Sequence, residues 1–284
     1  MRSPTTRLGY FVVGASASLV ISIFVAGLAV GPNAVSSRSG LVLTNLVFVV
    51  SLVAVSRLLL HCEGATLREL GLFLARSRGR EFAFGFVVSS ALFMIAAVAQ
   101  AVAVGAPLVF QGIPGIRAAV LGIGISTVLA LSEELLFRGV ALRYLRASYG
   151  DRGAVVLSAL LFGAYHLAQS DDWAMGAVFR MATPIVGGLL FGWAAVRSGG
   201  LALPLGLHVG GNWVQSALAG FTPAATAAIE PVSALWRIPI TVDDFRRLTA
   251  PDPLPHLPYL IALTLAAVIT WRMVAGPGSP RSTA

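Results

Sequence analysis

Long apolar runs without a charged residue dominate the chain and set its predicted architecture. They cover 8 to 37, 39 to 56, 82 to 116, 118 to 132, 153 to 170, 181 to 196, 198 to 229 and 253 to 271. A helix needs about 20 mostly apolar residues to cross a bilayer, and these runs lack the alternation of barrel strands. We therefore predict an all-α, polytopic transmembrane helical bundle of about eight spans. The predicted spans are 8 to 30, 40 to 60, 83 to 104, 117 to 138, 153 to 170, 181 to 197, 201 to 220 and 256 to 273.

Composition agrees with this pattern. Of the 284 residues 57% are hydrophobic and 11% are charged, whereas a soluble domain carries roughly 25% charged residues. These values exclude a soluble globular protein. Eight spans would use roughly 160 residues, which leaves connections too short for a second domain. We therefore predict a single membrane-embedded domain over 1–284, with an uncleaved first span because 8 to 30 is longer than a signal-peptide core.

The basic residues predict the orientation in the membrane. All 20 are arginine, the net charge is +8, and they are scattered between the apolar runs, which argues against a nucleic-acid-binding patch. Cytoplasmic connections retain the excess of basic residues. With the N-terminus inside, the inner segments hold Arg2, Arg7, Arg68, Arg76, Arg78, Arg80, Arg143, Arg146, Arg152, Arg197 and Arg281. The outer connections hold fewer basic residues, Arg38, Arg117 and Arg180. The last outer connection contains both basic and acidic residues: Arg237, Arg246, Arg247, Glu230, Asp243, Asp244 and Asp252. We predict a bacterial inner-membrane protein with its N-terminus in the cytoplasm.

Three ionisable residues interrupt the fourth span: Glu133, Glu134 and Arg138, in the sequence LSEELLFRGV. A charge at the bilayer centre costs about 2.5 to 3.5 kcal/mol, so all three need an internal partner or a watery cavity. Glu134 and Arg138 are four residues apart and can pair, whereas Glu133 points about 100° away. The spacing predicts one neutralised carboxylate and one available for chemistry. The alternative, a purely structural ion pair with Glu133 at a helix end, leaves Glu133 unexplained.

Two histidines also interrupt apolar spans. His166 follows Phe162 in LFGAYH, and His208 precedes Asn212 in GLHVGGN. A lone intramembrane histidine is most often a packing residue that hydrogen-bonds to a neighbouring helix. Two of them beside an unpaired carboxylate favour a chemical role instead. The small residues Gly206, Gly210 and Gly211 flank His208, and they predict close approach of another helix or of a substrate backbone.

The polar motifs, in this order, resemble those of a known family. Glu133 to Arg138 looks like the EExxxR motif of the CAAX prenyl protease and bacteriocin-processing family, also called the Abi or CPBP proteases. Phe162 to His166 is similar to its FxxxH motif and His208 to Asn212 to its HxxxN motif. The resemblance covers about residues 115 to 215. It implies an all-helical intramembrane endopeptidase that acts on a membrane-anchored, in some members lipidated, peptide or protein.

The same residues can be assigned to the steps of peptide hydrolysis, which needs an activated water, a stabilised oxyanion and a proton donor for the leaving amine. Glu133 and His166 can activate water. Arg138 keeps Glu134 ionised, and the two form a supporting scaffold. His208 and Asn212, one turn apart, can both donate to one oxygen. We predict Glu133, His166, His208 and Asn212 as catalytic residues.

Metal dependence and a non-enzymatic function stay open at this point. Glu133, His166 and His208 could supply three ligands to Zn²⁺ with water in the fourth position. However, no HExxH is present and the three candidates come from three helices, so we favour catalysis without a metal cofactor. A membrane transporter or scaffold is the alternative function, because buried acids and histidines also mark proton relays. The ordered motif set favours the protease.

The arginine pattern also predicts the depth of the site. At 1.5 Å per residue, Glu133 is about 15 Å from Arg143 and His208 about 12 Å from Gly200. Both distances fall in the inner half of a hydrocarbon core about 30 Å thick, and His166 lies nearer its centre. We therefore predict that the site opens toward the cytoplasm.

Overall fold

A computed structural model shows the chain as a bundle of α-helices. It describes residues 3–31, 34, 37–71, 76–103, 105–168, 176–223, 233–240 and 257–273, without the side chains of 176–180, 221–223 and 240. Within these ranges the helices are α1 (Pro4–Val30), α2 (Arg38–His61), α3 (Arg76–Ala103), α4 (Gly112–Arg138), α5 (Val140–Ala168), α6 (Gly176–Ser198), α7 (Ala202–Trp213) and α8 (Leu257–Met273). A 3₁₀ turn covers Leu67–Leu70, and a π-helical turn, Val214–Leu218, extends α7.

The predicted all-α bundle is confirmed, since a helix occupies most of each predicted span. By length and composition, α1, α2, α3 and the nearly continuous run Gly112–Ala168 are long and apolar enough to cross a membrane. That run contains both α4 and α5. The last helix, α8, is apolar but shorter, with 17 residues.

Two predicted boundaries are wrong. Residues 139 to 152 were expected to form an inner connection, but α5 begins at Val140, directly after a break at Gly139 with ψ −125°. The helix is interrupted again at Gly150, which has the left-handed φ of 69° that glycine tolerates. Glu133 and Arg143 therefore lie on different helices. The depth of Glu133 predicted from their separation along one helix does not apply. The seventh span also ends early, because Ala219 leaves the helix and begins a strand.

A small sheet was not predicted from the sequence. It consists of β1 (Val109–Phe110), β2 (Ala219–Pro223) and β3 (Trp236–Ile240), in the order β1-β3-β2. The central strand β3 runs antiparallel to β1 and parallel to β2, and Trp236 lies opposite both Phe110 and Ala219. The sheet closes the end of the bundle at which α4 begins and α7 ends.

Glycines allow α7 to pack backbone against backbone on α3, as the sequence predicted for the residues around His208. A Cβ atom at Gly206 would lie 2.1 Å from the Phe82 carbonyl oxygen, and one at Gly210 would lie 2.5 Å from that of Phe86. Small residues permit two membrane helices to approach this closely. The helix that packs closely against α7 is thus α3, and this contact fixes the position of the helix that carries His208.

The turn between α6 and α7 is held from two sides. Arg78 on α3 donates from Nη1 to the Ser198 carbonyl at 2.9 Å and from Nη2 to the Gly199 carbonyl at 3.1 Å. The backbone N–H of Leu201 donates to the Leu70 carbonyl at 3.2 Å. These bonds fix the start of α7 and so the height of His208 in the bundle.

Segments predicted to lie on the inner side meet at one end of the bundle. Glu63 pairs with Arg7 at 3.1 Å and with Arg143 at 3.5 Å, and Arg143 also binds Glu69. Hydrogen bonds from Arg143 and from the Thr66 backbone hold the pKa of the Glu69 carboxyl below its usual range. We call this the Glu63 end of the bundle. The side of the membrane that it faces stays a prediction.

Some charged residues used to predict the orientation lie outside the described residues: Arg2, Arg246, Arg247, Arg281, Glu230, Asp243, Asp244 and Asp252. The side chain of Arg180 is also outside them.

Candidate functional site

The structure brings together polar side chains from α4, α5 and α7 that the sequence singled out. The Oε2 atom of Glu133 lies 3.5 Å from Nε2 of His208 and 3.9 Å from Nε2 of His166. Both imidazoles thus present the same ring nitrogen to one carboxylate oxygen. The predicted candidates Glu133, His166 and His208 therefore form one cluster.

A buried ion pair lies directly beside this cluster. Arg138 donates from Nη1 to Oε1 of Glu134 at 3.3 Å, and both side chains are 0% exposed. Its Nη2 donates to the Gly188 carbonyl on α6 at 3.1 Å, and its guanidinium lies 4.4 Å from the centre of the Phe162 ring. The pairing expected at four-residue spacing is present. It is supported by a hydrogen bond and a cation–π contact from two other helices.

His208 connects the ion pair to Glu133. Its Nδ1 lies 2.8 Å from Oε1 of Glu134. The same oxygen accepts from Arg138 Nη1, so His208 Nδ1 is the donor in this contact. The other ring nitrogen of His208 then faces Glu133. The sequence predicted only Arg138 as the partner of Glu134, and tertiary packing adds His208.

His166 is the more accessible of the two histidines. Its Nδ1 donates to the Phe162 carbonyl at 2.9 Å, which leaves Nε2 facing Glu133. The His166 side chain is 35% exposed and that of Glu133 17%, whereas Glu134 and Arg138 are fully buried. The His166 and Glu133 side of the cluster is thus more exposed than the ion pair.

Each glutamate has one oxygen without a hydrogen-bond partner among the described residues, but the surroundings of the two oxygens differ. Among the described residues, Oε2 of Glu133 and Oε2 of Glu134 are buried without a hydrogen-bond partner, as is Nε of Arg138. Buried polar atoms are rarely left unpaired without a reason. For Glu133 the atom without a partner is also the one that faces both imidazoles. A carboxylate oxygen in this position is a candidate proton acceptor.

Aromatic rings fix the imidazoles. The Phe162 ring centre lies 4.4 Å from that of His166 and 5.9 Å from that of His208. Phe191 on α6 stacks on His208 at 4.6 Å with an interplanar angle of 14°. Sequence reasoning missed Phe191 and the Gly188 carbonyl. A phenylalanine within an apolar run carries no signal of a specific role, and a backbone carbonyl carries none at all.

Asn212 is less closely tied to the cluster. It lies one turn after His208 on α7 and is half-buried, and its main-chain carbonyl accepts a hydrogen bond from the Ser216 hydroxyl. Its side chain makes no hydrogen bond to His208 or to either glutamate. The role of Asn212 as a second oxyanion donor stays a prediction, based on the face that it shares with His208.

The candidate metal ligands fit a metal only in part. Each histidine uses Nδ1 for another partner and turns Nε2 toward Glu133, which is how metal-bound imidazoles are commonly oriented. However, among the described residues no group of three or more His, Cys, Asp or Glu side chains is arranged to hold a metal ion. Catalysis without metal stays a prediction.

Comparison with known proteins identifies the same region. Residues 115–214 match the family model described as type II CAAX prenyl endopeptidase Rce1-like. No curated protein and no solved structure matches the chain significantly. The family match confirms the resemblance found in the three polar motifs. Together with the long apolar helices, it supports an integral membrane protein whose residues 115–214 are similar to that protease family.

The ion pair predicts a large stability difference between two arginine variants. Arg138→Ala leaves the carboxylate of Glu134 buried without its cation, which typically costs about 3 to 5 kcal/mol. Arg146→Ala removes an exposed pair with Asp151 and should cost no more than about 1 kcal/mol. Reversible unfolding of both variants in the same detergent measures the difference. Equal losses would show that the pair between Glu134 and Arg138 is not structural.

Proposed function

We propose that this protein, identified with the CAAX prenyl protease family through residues 115–214, is an intramembrane endopeptidase. It hydrolyses a peptide bond near the membrane surface in a membrane-anchored peptide or protein, with or without a lipid. The observation that supports this function most strongly is the position of Glu133 Oε2. That atom has no hydrogen-bond partner among the described residues and faces two imidazoles.

The first step is activation of water. A water beside Oε2 of Glu133 loses a proton to the carboxylate as its oxygen attacks the carbonyl carbon of the substrate. His166 lies on the accessible side and can accept a hydrogen bond from the same water through Nε2. Glu133 acts as the general base because its neighbour Glu134 is occupied by Arg138 and His208.

The second requirement is stabilisation of the oxyanion. His208 and Asn212 lie one turn apart on the same face of α7, and in this scheme both donate to the developing oxyanion, His208 through Nε2 because its Nδ1 is held by Glu134. Donors fixed in advance toward a developing charge are usually a major contribution to catalysis.

The final step releases the amine. The carbon–nitrogen bond of the tetrahedral intermediate breaks, and the proton taken up by Glu133 passes to the leaving nitrogen. Glu133 returns to its carboxylate form for the next cycle. Glu134 and Arg138 do not touch the reacting atoms in this scheme. They orient the ring of His208.

We propose further that the site opens at the Glu63 end of the bundle, in the cytoplasm of a bacterium. Glu133 is five residues before the end of α4 and His208 six residues after the start of α7, so each is about 8 to 9 Å from that end. The arginine-rich connections support a cytoplasmic location of that end. A substrate segment anchored in the inner leaflet could reach Glu133 without crossing the bilayer.

The decisive variant is Glu133→Gln, which keeps the size of the side chain but cannot accept the proton. We expect cleavage of a membrane-anchored reporter peptide to fall at least about 10²-fold, with unfolding stability in detergent unchanged. Prenylated and unprenylated versions of the reporter identify the substrate class. Glu69→Gln, at an exposed carboxylate of the Glu63 end, is the control and should keep full activity. Activity of Glu133→Gln close to that of the wild type would contradict the assignment. No cleavage by the wild type of any reporter would favour a transporter or scaffold.

The oxyanion role of Asn212 is tested separately. Asn212→Ala should lower kcat by about 10² to 10³ with little change in KM, as removal of one oxyanion donor does. Ser216→Ala, one turn further along the chain, is the control. A change confined to KM would make Asn212 a substrate-binding residue instead.

Metal dependence has its own test. We expect the purified protein to contain less than one equivalent of any transition metal and to keep its activity after dialysis against a chelator. Elemental analysis and the cleavage assay measure both quantities on one sample. Loss of activity that Zn²⁺ restores and Mg²⁺ does not would contradict metal-free catalysis and make Glu133, His166 and His208 the first candidates for its ligands.

A further inference from the structure

A cavity of about 660 Å³ lies between α2 and α4, at the end of the bundle opposite the Glu63 end. Its volume is within the range of small-molecule sites. Arg38 and Arg117 line it where the two helices begin, and Leu121, Ile125 and Leu129 continue its wall along α4. From Arg117 to Leu129 this wall is about 18 Å long. The cavity is thus charged at one end and apolar along its length.

The two arginines at the polar end of the cavity can bind an anion. Both are exposed, and neither forms an ion pair with any residue that the structure describes. The described side chains that line the cavity include no carboxylate. Ser37, the N-cap of α2, also lines it, but its hydroxyl already donates to the Ala34 carbonyl at 3.4 Å and accepts from the Gly40 N–H at 3.1 Å. The donors for a phosphate group are therefore the two guanidinium groups, at a helix start where the dipole favours a negative charge.

The apolar wall selects among anions. A soluble phosphate would contact only the polar end, whereas Leu121, Ile125 and Leu129 would remain without a partner of matching chemistry. A hydrocarbon chain attached to the anion satisfies both parts of the cavity. The boundary between them lies at the start of two membrane helices, where lipid headgroups meet acyl chains.

We propose that this cavity binds an anionic phospholipid, with its phosphate between Arg38 and Arg117 and one acyl chain along Leu121, Ile125 and Leu129. The inference does not depend on the proposed protease activity. Beyond the deep end of the cavity, the Ser132 hydroxyl donates to Oδ1 of Asn45 at 2.7 Å and joins α4 to α2. The lipid thus fills the gap between the same two helices, one turn before Glu133 on α4.

Binding to the full-length protein in detergent tests the proposal. Native mass spectrometry gives the apparent Kd for phosphatidylglycerol, for phosphatidylcholine with the same acyl chains, and for glycerol 3-phosphate. We expect the wild type to bind phosphatidylglycerol most tightly. The variants Arg38→Gln and Arg117→Gln should each weaken the binding of phosphatidylglycerol about fivefold. Neither should change the binding of phosphatidylcholine. The control, Arg57→Gln with Arg272→Gln, removes two exposed arginines from other surfaces and should bind as the wild type does.

A second variant tests the acyl chain. Ile125→Trp fills the apolar part of the cavity and should weaken binding of phosphatidylglycerol while both arginines remain. Unchanged phosphatidylglycerol binding after both arginine replacements would overturn the proposal, as would equal losses in the control. Binding of glycerol 3-phosphate as tight as that of phosphatidylglycerol would also overturn it, because the site would then be one for a soluble anion.

Discussion

The buried ion pair between Glu134 and Arg138 is the interaction on which the site depends. Taking two charges out of water costs more than their mutual attraction returns unless further hydrogen bonds satisfy them. Here those bonds come from two other helices: Arg138 donates to the Gly188 carbonyl on α6, and His208 on α7 donates to Glu134. The electrostatic requirement of one pair on α4 therefore fixes the positions of α6 and α7, and with them the ring of His208.

That arrangement separates the functions of two adjacent glutamates. Glu134 is fully buried and its Oε1 accepts from both Arg138 and His208. Glu133, next to it in the chain, keeps an oxygen without a hydrogen-bond partner among the described residues, and that oxygen faces both histidines. One carboxylate holds the imidazole in place, and the other remains available as a base. The difference follows from the helical rotation between consecutive residues, which turns the two side chains toward different neighbours.

Interactions that are local in sequence could be predicted from spacing, whereas between distant segments the sequence predicted only that the polar motifs would share one site, not which atoms would pair. The apolar runs predicted the helices, and the four-residue spacing predicted the pair of Glu134 and Arg138. The hydrogen bond from His208 to Glu134 joins residues 74 positions apart, and no spacing rule connects them. Stacking of Phe191 on His208 was missed for the same reason. The break at Gly139 and the strands of two to five residues were missed because so short a segment carries no periodic signal.

Double-mutant cycles on unfolding stability test the unequal roles of the two glutamates most directly. One cycle combines Glu134→Gln with Arg138→Gln, and the other combines Glu133→Gln with Arg138→Gln. Side chains in direct contact typically show coupling free energies of about 0.5 to 3 kcal/mol. The account predicts a coupling at the upper end of that range for Glu134 and a clearly smaller one for Glu133. Equal couplings, or a larger one for Glu133, would contradict the claim that Arg138 neutralises Glu134 and leaves Glu133 free.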